Sequence, residues 1–404
     1  MSLRGFHVDS LIPGDARPLA DAAFVVDEKN TVVDVGAATD VLPRSGGLAF
    51  TRVNGVAFPG LVNAHAHLEL SAMRGKVTGG RGFVDWVESL LTLRVEHSPE
   101  EDVDAIEAAV EALQKFATVA VGDVTNSLAA VSALARTGIA GWAFHEVFGQ
   151  DREAVLRRVR GLAEELTERH PRWPSTDLEY APAAHTLYTT HRDAVRSLVE
   201  ASLERGGRTS IHLAEHPGER RAIEHGDGPM VEWFERRTKQ KPEWPKMPLF
   251  DYAASLGVLH PSVLLVHLTE ARPDELARVA ESGASVVLCP RSNLYIEAKL
   301  PPLLAVLAAG IEPALGTDSL GSNTSLDVLA EAKALRERFP SVEPWNLVKM
   351  ATWNGARALG RNDLGRIAKG TRPGIFAVEG EAKDDPAAFL LANLAAPRKP
   401  LVPR

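Results

Sequence analysis

From residue 58 to about 362 the chain keeps one rhythm: a short apolar run ending in polar residues, then a longer amphipathic stretch. Strand-like runs stand at 60–65 (GLVNAH), 118–124 (TVAVGDV), 139–145 (IAGWAFH) and 178–183 (LEYAPA). Four more stand at 209–213 (TSIHL), 262–267 (SVLLVH), 285–289 (SVVLC) and 311–316 (IEPALG). Helix-period stretches lie between them: EEDVDAIEAAVEALQKFA, REAVLRRVRGLAEELTERH, RDAVRSLVEASLERG, PDELARVAESG and SLDVLAEAKALRERF. Eight strand–helix units predict an α/β chain folded as a (β/α)₈ barrel. Period alone reads an open, doubly wound sheet in the same way.

The flanks have a different texture. AAFVVDEKNTVVDVG holds two β-branched runs split by a polar turn, the pattern of a hairpin. GIFAVEG at 374–380 is another short β-like piece. Chain ends tend to lie close together, so the two flanks are expected to pair. The expected organisation is an accessory β domain from 1–57 and 365–404 around a barrel from 58–364. Within the barrel, 217–250 breaks the rhythm, being charged and rich in Pro and Trp. It reads as a lid over the site or as a solvated excursion.

Composition removes several classes of function. A net charge of −8 offers no basic surplus for nucleic acid. No apolar run reaches the ~18 residues of a membrane span. The stretch MSLRGFHVDSLIPGDARP lacks the apolar core of a signal peptide. Cys289 is the only cysteine, so a metal site here must use His and carboxylate. A cytoplasmic protein acting on small molecules is expected.

The polar residues that end the strand-like runs carry the chemistry. NAHAHLELS places His65 and His67 two apart, on one face of a strand, with Glu69 behind them. Thirteen histidines in 404 residues give about 0.4 such pairs by chance, so the pair alone decides little. It gains weight from its company. His185 follows the fourth run, His212 and Glu215 end the fifth, His267 ends the sixth, and Asp318 in LGTDS follows the eighth. Barrel active sites lie at the C-terminal ends of the strands. His65, His67, His212 and Asp318 make a ligand set for one divalent metal with a position left for water. The metal lowers the pKa of that water, and Glu215 is placed to move its proton. His267 would orient the water or the leaving atom. Each residue also has a plainer reading: His212 or His267 as a core histidine, Asp318 as a helix cap, Cys289 as a small buried apolar residue. His145 could line the pocket.

PGLVNAHAHLELS, IHLAEH, LLVHL, CPRSN and LGTDS, in that order, resemble the amidohydrolase superfamily. The resemblance implies a distorted (β/α)₈ TIM barrel with a small accessory β domain, and metal-dependent hydrolysis. It carries the ligand roles onto His65, His67, His212 and Asp318, the acid/base role onto Glu215, and the orienting role onto His267. One subgroup binds two metals through a modified lysine ending the fourth strand. LEYAPAAHTLYT has no lysine there, so one metal is expected, zinc by preference, with iron or manganese able to use the same donors. The HxxE after the fifth strand is similar to the branch that deaminates nucleosides and related aromatic amines. In that branch His185 matches a substrate-contacting position and Glu69 becomes a substrate-side residue. Arg291, in CPRSN, could meet a substrate carboxylate or simply sit exposed before a helix.

Within the branch, NAHAHLELS and the stretch from CPRSN to LDVL look most like the enzymes acting on 6-amino-6-deoxyfutalosine in the alternative menaquinone route. The alternatives are deamination of adenosine, S-adenosylhomocysteine, methylthioadenosine or guanine, and dechlorination of a triazine-like ring. A rival of another class is a barrel that has lost catalysis and serves as an assembly partner. A homodimer is common among similar proteins.

Overall fold

The computed structural model describes residues 2–96, 99–169, 173, 177–204 and 206–404. Its strands in chain order are β1 (Arg4–Leu11), β2 (Leu19–Val26), β3 (Val32–Ala37), β4 (Phe50–Pro59), β5 (Leu61–Ala66), β6 (Thr118–Thr125) and β7 (Ala140–Val147). There follow β8 (Leu178–Ala184), β9 (Thr209–Leu213), β10 (Val263–His267), β11 (Ser285–Leu288), β12 (Ala314–Leu315), β13 (Ile375–Glu379) and β14 (Lys399–Val402).

The flanking segments share one sheet, ordered β14-β13-β4-β1-β2-β3. The expected hairpin is β2–β3, paired antiparallel from Val26↔Val32 outward. Its turn is built by Asp27, whose Oδ1 accepts from the amides of Lys29 and Thr31, and by Asn30 at φ 64. Asn tolerates that left-handed conformation better than most residues. The C-terminal GIFAVEG piece supplies β13, which runs antiparallel to β4 from Ile375↔Pro59 to Glu379↔Gly55.

The other eight strands form two parallel sheets, β5-β6-β7-β8 and β9-β10-β11-β12. β5, β6, β9 and β10 are buried at every position, which explains their near-continuous apolar sequences. The two sheets meet at both edges. At one seam Thr186 bridges His212, and His212 N–H donates to His185 O at 3.0 Å. At the other Ala66 bridges Asp318, and the amides of Thr317 and Asp318 both donate to His65 O at 2.9 and 3.1 Å. Gly316 makes this approach feasible, since a Cβ there would lie 2.6 Å from His65 Cβ. One buried apolar cluster draws on β5, β6, β7, β8, β10, β11 and β12, so these sheets share a core.

Two elements differ from expectation. The eighth run is a strand only over Ala314–Leu315, because Pro313 has no N–H for a ladder. Helix Phe83–Glu96 is not among the expected elements. Its apolar residues Phe83, Val84, Trp86, Val87, Leu90, Leu91 and Leu93 spread around the helix and blur its period. Segment 217–250 contains helices Pro217–His225 and Pro229–Thr238, and the second buries Met230, Val231, Trp233 and Phe234. Trp233 Nε1 donates to Glu88 Oε2 at 2.5 Å, tying this segment to helix Phe83–Glu96. Among the described residues no helix is long and apolar enough to cross a membrane.

Candidate metal centre and active site

The histidines sit where parallel strands stop. His65 lies near the end of β5 and His67 just beyond it. His212 lies near the end of β9, His267 ends β10, and Asp318 follows β12. The backbone bends sharply here. Ala214, His267, Leu268 and Asp318 have φ of 51, 80, 51 and 56°, the left-handed region that costs a non-glycine residue about 1–3 kcal/mol. Such conformations cluster at functional sites, where surrounding structure holds them.

The side chains converge. Donor atoms of His65, His67 and His212 all lie within 4.8 Å of one another, as do those of Glu215, His267 and Asp318. His67 Nε2 is 3.3 Å from His212 Nε2. Asp318 Oδ1 stands 3.6 Å from His67 Nε2 and 3.9 Å from His65 Nε2, joining the two groups. His212 Nδ1 is 2.9 Å from His185 O, which turns Nε2 toward the cluster.

These residues fit a divalent cation on two counts. Both ring nitrogens of His65 are buried without a hydrogen-bond partner among the described residues, as is Nε2 of His267. Burial, reinforced by neighbouring rings, pushes His65 well below the usual histidine range. Burial also takes His212 down to about 3, with His185 adding to the effect. Neutral imidazoles with free nitrogens beside a carboxylate are a metal's donor set. Burial opposes ionisation of Asp318, but the His67 and His267 rings and the Ser292 hydroxyl outweigh it and hold its carboxyl low. Glu215 is pushed the other way, by burial first and then by the charges of Asp318 and Glu219. Its Oε1 lies 3.5 Å from His267 Nε2. One carboxyl biased toward ionisation beside another biased toward holding a proton is the pairing that acid/base chemistry requires.

The remaining expected residues divide. His185 faces the same cavity as the cluster, with Nδ1 2.7 Å from Thr189 Oγ1. Glu69 also lines the cavity, but its carboxylate is fully engaged. Oε2 accepts from Thr125 Oγ1, Ser127 Oγ and the amides of Asn126 and Ser127 at 2.8–3.1 Å, and Oε1 from Arg94 at 2.9 Å. Arg291 is not among the cavity residues; its amide donates to Glu331 Oε2 and its guanidinium to Thr324. His145 is bound to Asn126 O and Tyr180.

Several contributors to the site have little signature in the sequence. Ser292 Oγ donates to Asp318 Oδ2 at 2.6 Å, and the Asn293 amide lies 3.2 Å from His267 Nδ1. CPRSN therefore orients two site residues at once. Their signal was adjacency: two small polar residues directly after a buried strand. Arg94, Asn126 and Glu146 carried no local signal.

The cavity measures about 500 Å³. Phe83, Trp86, Leu90, Leu91, Trp233 and Phe234 make its apolar wall, opposite His67, His185, His212, Glu215 and Asp318. A larger cleft of about 690 Å³, walled by Arg208, Ser262, Ser285 and Gly310, contains none of the histidines.

The sequence profile of the amidohydrolase family matches residues 56–401. This chain belongs to that family. It is a hydrolase acting on C–N bonds, and the family generally uses a divalent metal. The chain is 31% identical to the aminodeoxyfutalosine deaminase of Deinococcus radiodurans over 347 residues, 83% of this chain and 81% of that one. It is 27% identical to a 5-methylthioadenosine/S-adenosylhomocysteine deaminase of Teredinibacter turnerae, over 80% of this chain and 71% of that one. Among solved structures it matches the Helicobacter pylori aminofutalosine deaminase in complex with methylthio-coformycin. That match has a TM-score of 0.87 at 22% identity, covering 98% of this chain and 97% of that one. It shows a shared fold, of the TIM-barrel type.

Proposed function

We propose that this amidohydrolase is a mononuclear, metal-dependent deaminase of an aminopurine nucleoside-like substrate, with 6-amino-6-deoxyfutalosine favoured. The observation that carries the reading is the Glu215–His267–Asp318 group set directly against the three-histidine cluster. His65, His67, His212 and Asp318 would hold the metal, zinc by preference. When bound, the ion supplies Lewis acidity and lowers the pKa of water at neutral pH. Glu215 protonates the ring nitrogen beside the amino-bearing carbon, which makes that carbon electrophilic. As water adds to that carbon, Glu215 takes its two protons in turn, passing one to the amino group, which leaves as ammonia when the C–N bond breaks, and keeping the other in place of the one given to the ring nitrogen. His267 and Asp318 hold the attacking oxygen, with His267 fixed by Asn293 and Asp318 by Ser292. His185 contacts the substrate, while Glu69 acts on it by positioning Arg94.

The choice of substrate is supported by the stronger likeness to the Deinococcus enzyme and by the apolar wall, which suits an aromatic substituent. We also infer that the two parallel sheets close into a distorted (β/α)₈ barrel over 58–364. Residues 1–57 and 365–404 then form the accessory β domain, and 217–250 covers the mouth.

The test is ammonia release by the purified, zinc-supplemented protein. Aminodeoxyfutalosine, adenosine, S-adenosylhomocysteine, methylthioadenosine and guanine are offered at equal concentration. Strong preference for the first is expected. Turnover of another purine would keep the chemistry and discard the substrate; silence toward all five with metal bound would overturn both. Glu215→Gln is expected to keep metal and fold and lose about 10²–10⁴-fold in turnover.

A further inference from the structure

Four residues beyond Glu215 stands a second buried carboxyl, Glu219, 1% exposed. It lies in the first turn of helix Pro217–His225, whose N-terminal cap is His216. In the usual capping arrangement the cap side chain accepts from the amide of the third helical residue, and that residue's carboxylate accepts from the amide of the cap. The first half is present: His216 Nδ1 accepts from Glu219 N–H at 3.3 Å. The second half is moved by one residue. Glu219 Oε2 accepts from Glu215 N–H at 2.9 Å, so the carboxyl grips the backbone of the residue that moves the protons.

The bond falls at a bend in the chain. β9 ends at Leu213, and Ala214 turns the backbone away at φ 51°. On one side of Glu215, Ala214 O accepts from Glu270 N–H at 2.8 Å. On the other, the His216 ring lies flat against Phe83 with centroids 4.0 Å apart, and its Nε2 is 3.2 Å from the Tyr188 hydroxyl. Between these two anchors, Glu219 fixes the Glu215 amide. Helix stability does not account for a carboxyl here. Burial pushes Glu219 up to about 8, against the amides of Glu215 and Ala214 and the Arg220 charge, which hold it down. Arg220 itself is committed to Glu224 and Glu275. Glu219 Oε1 has no hydrogen-bond partner among the described residues. A buried carboxyl so weakly compensated works against stability, and His216 already caps the helix.

We propose that Glu219 is a positioning residue, which locks the Glu215 backbone so that one carboxyl serves ring nitrogen, water and leaving amine from a single place. This rests on the deaminase reading, in which Glu215 moves every proton. A carboxyl that must reach three atoms in turn tolerates little drift, and a misplacement of about 1 Å can cost about 100-fold in rate. The lock needs only an acceptor oxygen, which Glu219 supplies whether or not it is ionised.

The test compares wild type, Glu219→Gln and Glu219→Met on whichever compound of the panel wild type turns over. Gln keeps an acceptor for the Glu215 amide; Met keeps the length and bulk without one. Glu219→Met should lose about 100-fold in kcat, with KM within about twofold of wild type, because substrate and metal are held by other residues. Its zinc content should be unchanged. Glu219→Gln should lose no more than about threefold in kcat. Crystals of Glu219→Met should show Glu215 displaced from His267, and those of Glu219→Gln should not. Equal kcat in the two variants, a Met variant that loses zinc or fold, or Glu215 in its wild-type place in the Met crystals overturns the assignment. Wild type inert toward the whole panel would instead overturn the deaminase reading, and the crystal comparison would still decide whether Glu219 holds Glu215.

Discussion

Replacing Ser292 by Ala removes a single oxygen, yet it should have a large effect on the proposed metal centre. Ser292 Oγ lies 2.6 Å from Asp318 Oδ2, and both residues are buried. The other carboxylate oxygen, Oδ1, accepts from Ser319 N–H at 2.7 Å and faces His65 and His67. Without Ser292, Oδ2 loses its donor and the carboxylate gains freedom to rotate away from the histidines. A hydrogen bond to a charged group contributes about 1.5–3 kcal/mol. Taking about 2 kcal/mol, metal affinity should weaken ~30-fold, within the range for residues that support metal ligands. The assay is zinc competition against a chromophoric chelator, which reads the site independently of any substrate. Ser322→Ala is the control: Ser322 Oγ lies 2.7 Å from Ser292 Oγ and would reach Asp318 only through it. A neutral bond of about 0.5–1.5 kcal/mol predicts a smaller loss, roughly tenfold at most. A Ser292→Ala dissociation constant within twofold of wild type would refute the reasoning. So would a Ser322→Ala variant that is equally impaired.

Two further predictions concern the scaffold. Arg398 Nη1 donates to Asp327 Oδ1 at 2.9 Å, and that carboxylate also caps helix Val328–Arg338 through Leu329 N–H. Arg398→Met should cost about 3–5 kcal/mol by leaving a buried charge, and Asp327→Asn added to it should recover part. Denaturant titration checks this, and a loss under 1 kcal/mol would count against it. Gly316→Ala would place a Cβ 2.8 Å from His65 O as well as against its side chain. It should lose about 1–3 kcal/mol of stability and most of its bound metal; unchanged Tm with full metal occupancy would contradict the close approach.

Much of the architecture was legible because strand and helix periods are local. The eight strand-like runs match β5 to β12 to within a few residues, and the VVDEKNTVV turn announced β2–β3. The metal-competent residues were legible for a related reason. An imidazole or carboxylate at the end of a buried apolar run is conspicuous, so His65, His67, His212, His267 and Asp318 stood out without any contact being known. Arg291 had the right chemistry beside the right motif, but only packing determines direction, and packing turns it toward Glu331 and Thr324.

Residue type and period alone therefore determined the alternation, the hairpin and which metal-competent side chains end the strands. The tertiary structure decided the partnerships. His65 meets Asp318 because two short backbone bonds close a seam across some 250 residues of chain. Glu69 and Glu146 are both acidic residues near strand ends, yet one is saturated by the turn that follows β6 and by Arg94, and the other keeps one oxygen without a hydrogen-bond partner among the described residues, 3.8 Å from His212 Nδ1. Ser292 and Asn293 become supports for the site only because β10, β11 and the segment after β12 end side by side. Periodicity reports which face of an element is apolar, and it is read from neighbours in the chain. The partner of a buried polar atom depends on which distant strands lie alongside, and no local pattern encodes that.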